Sequence, residues 1–273
     1  MFGFFKKRRR DRIRNRPFPT EWRNLLVHRY SMYSRLPLAD RRELEGHILV
    51  FLDEKRFEGC DGQEITDEVR VLIAAQACLL LLHRETGYYP RLRSILVYPS
   101  SYIARTWRLE KDGRTITEAE QARGGESWPH GAVVLAWDGA IAGALELDKN
   151  RNVVIHEFAH QLDQEDGLVD GAPLLEGATF SQTRHRYQTW ARVLSTEFQQ
   201  LRRAAENGGE TVLDTYGAQN PAEFFAVATE SFFEKPRQLK GRHPELYAEL
   251  KEFYHQDPLL YAPADPAKNE HAA

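Results

Sequence analysis

The sequence predicts an α+β fold, predominantly helical, with a small sheet beside a helix that carries two histidines. Three observations lead there. Apolar residues recur at helical spacing through most of residues 20–84 and again after residue 150. Between these regions lie two short β-rich segments, "SILVYPS" at 94–100 and "GAVVLAW" at 131–137, bounded by Gly, Pro and Ser. In "VVIHEFAHQLD", residues 153–163, the apolar residues fall on one helical stripe. At 273 residues, with 42% hydrophobic and 11% aromatic content, the chain can bury a substantial core.

The elements follow in order. "KKRRRDRIRNR", residues 6–16, carries eight basic residues and one acid. Its composition suits an acidic lipid or nucleic acid, and equally a solvated start. The expectation adopted is a disordered basic arm over residues 1–16. Residues 20–33 and 39–57 read as amphipathic helices packed on each other. Residues 67–84 follow a Thr66 cap and are apolar nearly all round from Val69 to Leu82, as befits a central buried helix. The two β-rich segments are strands, and the stretch between them, with "DGR" and "RGGE", reads as turns with room for one more strand.

Helices return at about 150–164, 182–206, 221–234 and 243–255, and the last fifteen residues read as a frayed tail. The organisation expected is one domain over residues 17–260, with a helical half at 17–90 and a sheet and metal-site half at 91–260. Residues 261–273 form a flexible tail.

Charge and composition narrow the function. The basic run is +7 while the whole chain is −3, so residues 17–273 carry −10. An acidic body without a nucleic-acid fold signature argues against direct binding of nucleic acid. "MFGFF" is too short for the apolar core of a signal peptide, and no apolar run approaches the ~20 residues of a spanning helix. A cytoplasmic location is expected. Only Cys60 and Cys78 occur, without a CxxC pair, which suits a reducing compartment.

The chemistry concentrates at residues 156–160. On a helix, His156 and His160 lie one turn apart on one face and can grip a single metal ion. Glu157 points to another side, poorly placed as a ligand but within reach of a water at that metal. This is the mechanical content of H-E-x-x-H: two ligands and a general base, with zinc as the expected ion.

A third protein ligand must come from elsewhere, because "QLDQED" after His160 offers no further histidine. The best source is "DTYGAQNPAEFFAVATESFFEKP", residues 214–236, where a largely buried helix begins at Asn220 with Pro221 in its first turn. Glu223 and Glu230 stand seven apart on one face of it, and buried carboxylates need a cationic partner. Glu223 also has the spacing of a capping box with Asn220. Pattern alone leaves three readings open: Glu223 as ligand, Glu223 as cap, or Glu230 as ligand.

"NVVIHEFAHQLD" together with "YGAQNPAEFFAVATESFFEKP" resembles the Mlc titration factor A family of bacterial zinc metallopeptidases, and so do "RPFPTEW", "LPLADRRELEGHILVFLDEKRFEG" and "IAAQACLLLL". The resemblance spans roughly residues 17–260. It implies a zincin-like peptidase related to the catalytic domain of anthrax lethal factor, with one Zn2+ per chain held by His156, His160 and Glu223. It implies Glu157 as the base and Tyr216 as a further catalytic residue, where composition alone reads a turn with an incidental aromatic.

The thermolysin group usually has an Asp four residues after its ligand glutamate. Val227 stands there instead, so support for a histidine must come from another residue. Asp163 is the candidate, and it reads equally well as a solvated helix end.

The implied reaction is peptide hydrolysis, with Glu157 taking a proton from the attacking water and Tyr216 donating to the oxyanion. The strand "GAVVLAW" is expected to offer its edge to an extended peptide. The family further implies an aminopeptidase preference and binding of an Mlc-like glucose repressor. That partner opens the alternative of an anti-repressor in which hydrolysis is secondary.

Overall fold

The arginine-rich start, expected to be disordered, folds as a helix. The computed structural model describes residues 2–109, 116–123, 125–128, 131–145, 152–175, 177 and 179–262. Helix α1 (Phe2–Arg14) inserts Ile13, 2% exposed, into the core. Arg10 reaches both oxygens of Glu54 at 2.7 and 2.8 Å and donates to the carbonyl of Gly87 at 2.7 Å. Arg9 pairs with Asp53. Acids at the end of a neighbouring helix thus neutralise the inward face of a run whose composition alone suggests disorder.

The helix expected over 20–33 breaks in two, α2 (Thr20–Arg29) and α3 (Ser31–Arg35), at the extended and buried Tyr30. Helix α4 (Leu38–Glu54) also stops earlier than expected. Lys55 is extended, and its buried ammonium donates to the carbonyls of Tyr89 and Leu92, both at 2.8 Å. The chain then enters strand β1 (Arg56–Gly59), whose ladder partners outweigh the helical periodicity of the preceding residues. Helix α5 (Asp67–Leu79) starts where Thr66 accepts from the N–H of Val69 at 3.3 Å, and is fully buried from Val71 to Leu79.

The strands are β2 (Ser94–Tyr98), β3 (Tyr102–Leu109), β4 (Ile116–Arg123), β5 (Gly125–Trp128) and β6 (Ala132–Ala136). One sheet has the order β1-β2-β6-β5, with β1, β2 and β6 parallel and β5 antiparallel to β6. Strands β3 and β4 form a separate antiparallel pair, from Tyr102 opposite Arg123 to Leu109 opposite Ile116. Strand β6, expected to offer a free edge, lies between β2 and β5, which explains its nearly continuous apolar sequence. Among the described residues the sheet edge beyond it belongs to β5.

After the sheet come α6 (Trp137–Leu145), α7 (Val153–Asp163), α8 (Phe180–Asn207), α9 (Pro221–Glu234), α10 (Pro236–Arg242) and α11 (Pro244–Tyr254). Helix α8 ends at Gly208, whose φ of 66° is the left-handed conformation a helix stop asks of glycine. Trp190 of α8 packs on Phe225 of α9 and Phe253 of α11, with ring centroids 5.8 and 5.5 Å apart. Phe158 ties α7 to the first half of the chain, 5.6 Å from Phe51 and 4.8 Å from Tyr89. Burying each such ring is worth roughly 1.5–3 kcal/mol, so α7 and α9 are held where the core puts them.

Part of the stretch expected to fray is packed. Pro258–Leu260 form a turn, and Tyr261 is buried with its hydroxyl donating to Gln256 at 3.2 Å. Residues 263–273 lie outside the described residues. Among the described residues no helix is long and apolar enough to cross a membrane. Both cysteines are free, Cys78 buried and Cys60 half-buried.

Candidate metal centre

Helix α7 begins at Asn152, whose side-chain oxygen accepts from the N–H of Ile155 at 3.0 Å while its amide nitrogen donates to the carbonyl of Gly143 at 3.2 Å. This cap sets the phase of the helix. Ile155, Phe158, Ala159 and Leu162 go into the core, and the rings of His156 and His160 stand 4.9 Å apart on the face turned to α9.

Helix α9 supplies the third group. Asn220 accepts from the N–H of Glu223 at 3.0 Å, so half of a capping box forms. The Glu223 carboxylate does something else: Oε2 lies 3.0 Å from Nε2 of His156 and 3.4 Å from Nε2 of His160. One ligand atom from each of His156, His160 and Glu223 falls within 4.8 Å of the others.

Glu230, the alternative ligand in the sequence reading, takes a supporting place. Its Oε1 accepts from Nδ1 of His156 at 2.7 Å and its Oε2 from the backbone N–H of Asn152 at 2.8 Å. The two carboxylates of α9 therefore hold one imidazole between them. Asp163 does not play that part for His160. It is fully buried rather than a solvated helix end, and Oδ2 accepts from the N–H of Gly171 at 3.0 Å. Its Oδ1 and Nδ1 of His160 are both buried without a hydrogen-bond partner among the described residues.

Gly171 has φ +79°, and a Cβ there would sit 2.4 Å from the carbonyl oxygen of Pro221. The loop after α7 is thus pressed on the start of α9 at a position that only glycine fills comfortably. The indole N–H of Trp190 donates to the Gly171 carbonyl at 3.0 Å and completes the anchor.

The donor set fits a metal. With Nδ1–H of His156 given to Glu230, the other nitrogen of the neutral ring carries a lone pair. That lone pair faces a carboxylate oxygen at 3.0 Å and the Nε2 of His160 at 3.2 Å. Electron pairs brought this close call for a proton or a metal ion between them, and two imidazoles with one carboxylate suit a transition metal. Without a metal the same position draws a proton: burial opposes charge on His156, but Glu223 and Glu230 outweigh it and raise its pKa. Burial likewise opposes charge on Glu223, yet hydrogen bonds from both histidines bring its pKa down to about 2.

Glu157 is buried, and its Oε2 has no hydrogen-bond partner among the described residues. Burial raises its pKa, as suits a group that must take up a proton. Gly125, on the edge strand β5, packs directly over it: a Cβ there would lie 2.8 Å from both Cγ and Oε1 of Glu157 and 2.5 Å from Cγ2 of Val153. Tyr216 stands in a 3-10 turn, Thr215–Ala218, which Asp214 starts by accepting from the N–H of Tyr216 at 2.8 Å. Its ring lies 5.8 Å from that of His156.

His156, Glu157, His160, Glu223 and Tyr216 thus come together, with Glu230 behind His156 and Asp163 turned to Gly171. Asn152 and Gly125 were not foreseen. An Asn ahead of "VVIHEF" is a readable cap signal, but nothing in "RGGE" marks Gly125 as the neighbour of Glu157.

The profile of the glucose-regulated metallo-peptidase M90 family matches residues 5–255. A protein of Synechocystis, itself described as uncharacterized, is 44% identical over 92% of this chain and 90% of its own length. Mlc titration factor A of Pectobacterium atrosepticum is 31% identical over 82% of each chain, and that of Klebsiella pneumoniae 29% identical over 83% of each. The chain belongs to this family of metallopeptidases, in agreement with the resemblance read from the HEFAH and NPAEFF motifs and with a predominantly helical α+β peptidase fold.

Proposed function

We propose that the protein is a cytoplasmic zinc peptidase, acting preferentially as an aminopeptidase, with His156, His160 and Glu223 as metal ligands, Glu157 as general base and Tyr216 as oxyanion donor. The observation that carries this reading is the convergence of three ligand atoms within 4.8 Å beside a buried, unpaired carboxylate oxygen. Zinc held by these three residues would supply Lewis acidity and let a water lose its proton near neutral pH.

The remaining steps belong to the chain. Glu157, its pKa raised by burial, takes the water's proton and later passes it to the leaving amine. Glu230 holds His156 in the tautomer that leaves Nε2 free for the metal. The hydroxyl of Tyr216 stabilises negative charge as it develops on the carbonyl oxygen. Strand β5 is the edge beside Glu157, and an extended peptide paired with it would bring its carbonyl to the metal.

A second reading is supported by the name that the curated relatives carry, Mlc titration factor A. Here the protein would sequester an Mlc-like transcriptional repressor, with hydrolysis secondary. One comparison separates the two. Wild type and Glu157→Gln are assayed for zinc content and for turnover of short peptides with free and blocked N-termini. One zinc in both, with cleavage of free-ended peptides by the wild type alone, is the expected result. Cleavage of blocked peptides at equal rate overturns the aminopeptidase preference. Zinc in both with no cleavage by either overturns the peptidase reading, and repressor binding that survives Glu157→Gln would then favour sequestration.

A further inference from the structure

Helix α1 has two faces with different fates. The inward face is Ile13 with Lys6, Arg9 and Arg10, whose charges meet Asp53 and Glu54 at the end of α4. The outward face is spare. It carries Phe4 and the exposed cations Lys7, Arg8 and Arg12, with Asp11 as its single acid; Phe5, like Phe4 62% exposed, stands at its border, beside Arg9 and the cleft lined by Asp53 and Glu54. Lys7, Arg8 and Arg12 make no ion pair among the described residues, and Arg8 lies over the Phe4 ring at 5.4 Å.

We propose that this face is a docking surface for an anionic phospholipid bilayer, with Phe4 and Phe5 entering the headgroup boundary and the cations pairing with lipid phosphates. Two adjacent phenylalanines left in water are costly, and a bilayer relieves that cost while satisfying the cations beside them. A nucleic-acid backbone would satisfy only the cations. The two rings stand at 72° to each other, which gives stacked bases no flat platform. Charge restricts the contact further. Residues 17–273 carry −10 and are repelled by an anionic surface, so attraction is confined to α1. Because Ile13 and Arg10 fix the helix to the body, the chain would dock as a rigid unit.

The test is co-sedimentation of the full chain with sucrose-loaded vesicles of phosphatidylglycerol and phosphatidylcholine mixed, or of phosphatidylcholine alone. The expected result is binding to the anionic vesicles only, falling as salt rises. Replacing Lys7, Arg8 and Arg12 together with Ala should lower partitioning about 100-fold, at about fivefold per cation. Phe4→Ser with Phe5→Ser should remove the part that resists salt. All substituted side chains are exposed, so the thermal midpoint of each variant should match the wild type and exclude misfolding. Failure of the wild type to sediment with anionic vesicles overturns the proposal, as does equal binding by the Lys7, Arg8 and Arg12 variant. A salt-sensitive shift of DNA without vesicle binding also overturns it and reassigns the face to nucleic acid.

Discussion

Glu230 accepts a hydrogen bond from Nδ1 of His156 at 2.7 Å, from a position two turns along the helix that also carries Glu223. One helix therefore sends one carboxylate to the Nε2 side of an imidazole and another to its Nδ1 side. The arrangement couples ring orientation to the docking of α9 on α7, and on the proposed function Glu230 would be a determinant of metal affinity.

Glu230→Gln removes the charge behind His156 while keeping the shape of the side chain. Metal affinity should fall about 10–100-fold, read by competition with a chromophoric chelator. The thermal midpoint of the metal-free protein should also fall, because the amide has one oxygen for the two buried donors that Glu230 satisfies, His156 Nδ1 and the N–H of Asn152, so affinity is compared at a temperature where both proteins are folded. Unchanged affinity would mean that packing alone orients the ring.

Gly125→Ala puts a methyl group where Val153 and Glu157 already stand, at 2.5 and 2.8 Å. Either the carboxylate or strand β5 must move. A displacement near 1 Å at a reacting group can cost about 100-fold in rate, so kcat should drop by about 10–100-fold with one metal still bound. Wild-type kcat would show that the edge strand yields instead.

A cluster in the N-terminal half of the chain should make stability depend on pH. Nε2 of His47 donates to Glu43 at 3.2 Å, Nδ1 accepts from the Tyr88 hydroxyl at 2.7 Å, and the N–H of His83 donates to Glu43 at 3.1 Å. The hydrogen bond from His47, against the opposing effect of burial, holds the Glu43 carboxyl down to about 2 rather than its ordinary 4.5. A depressed acid stabilises the fold fully above its unfolded pKa, and that stabilisation is lost as pH falls from about 4.5 toward 2. Allowing for its partial exposure, the contribution is roughly 1–2 kcal/mol. Glu43→Gln should therefore be less stable than wild type at pH 7, with the gap closing near pH 2. A gap of constant size in denaturant midpoints across this range would exclude the charge as its cause.

Much of the site was legible because its determinants are local. The spacing of His156, Glu157 and His160 acts through the 3.6-residue period of one helix, which any packing of that helix preserves. Asn220 followed by Pro221 starts α9 through capping within four residues, and the seven-residue interval puts Glu223 and Glu230 on one face. Helical content followed from the same periodicity, and errors clustered at ends, where Tyr30 and Lys55 leave the helix to satisfy distant partners.

Residue spacing was enough to put two histidines one turn apart beside a carboxylate, and two glutamates on one face of a second helix. Packing between distant elements settled the rest: Glu223 faces both histidines while Glu230 stands behind His156, Asp163 anchors Gly171, β5 rather than β6 is the edge beside Glu157, and the arginine-rich start is a docked helix. Each of these depends on how far apart two elements sit and which faces they share. Contacts such as Phe158 on Phe51 and Trp190 on Phe225 set those distances, and they join residues many positions apart in the chain. Local periodicity carries no information about such separations.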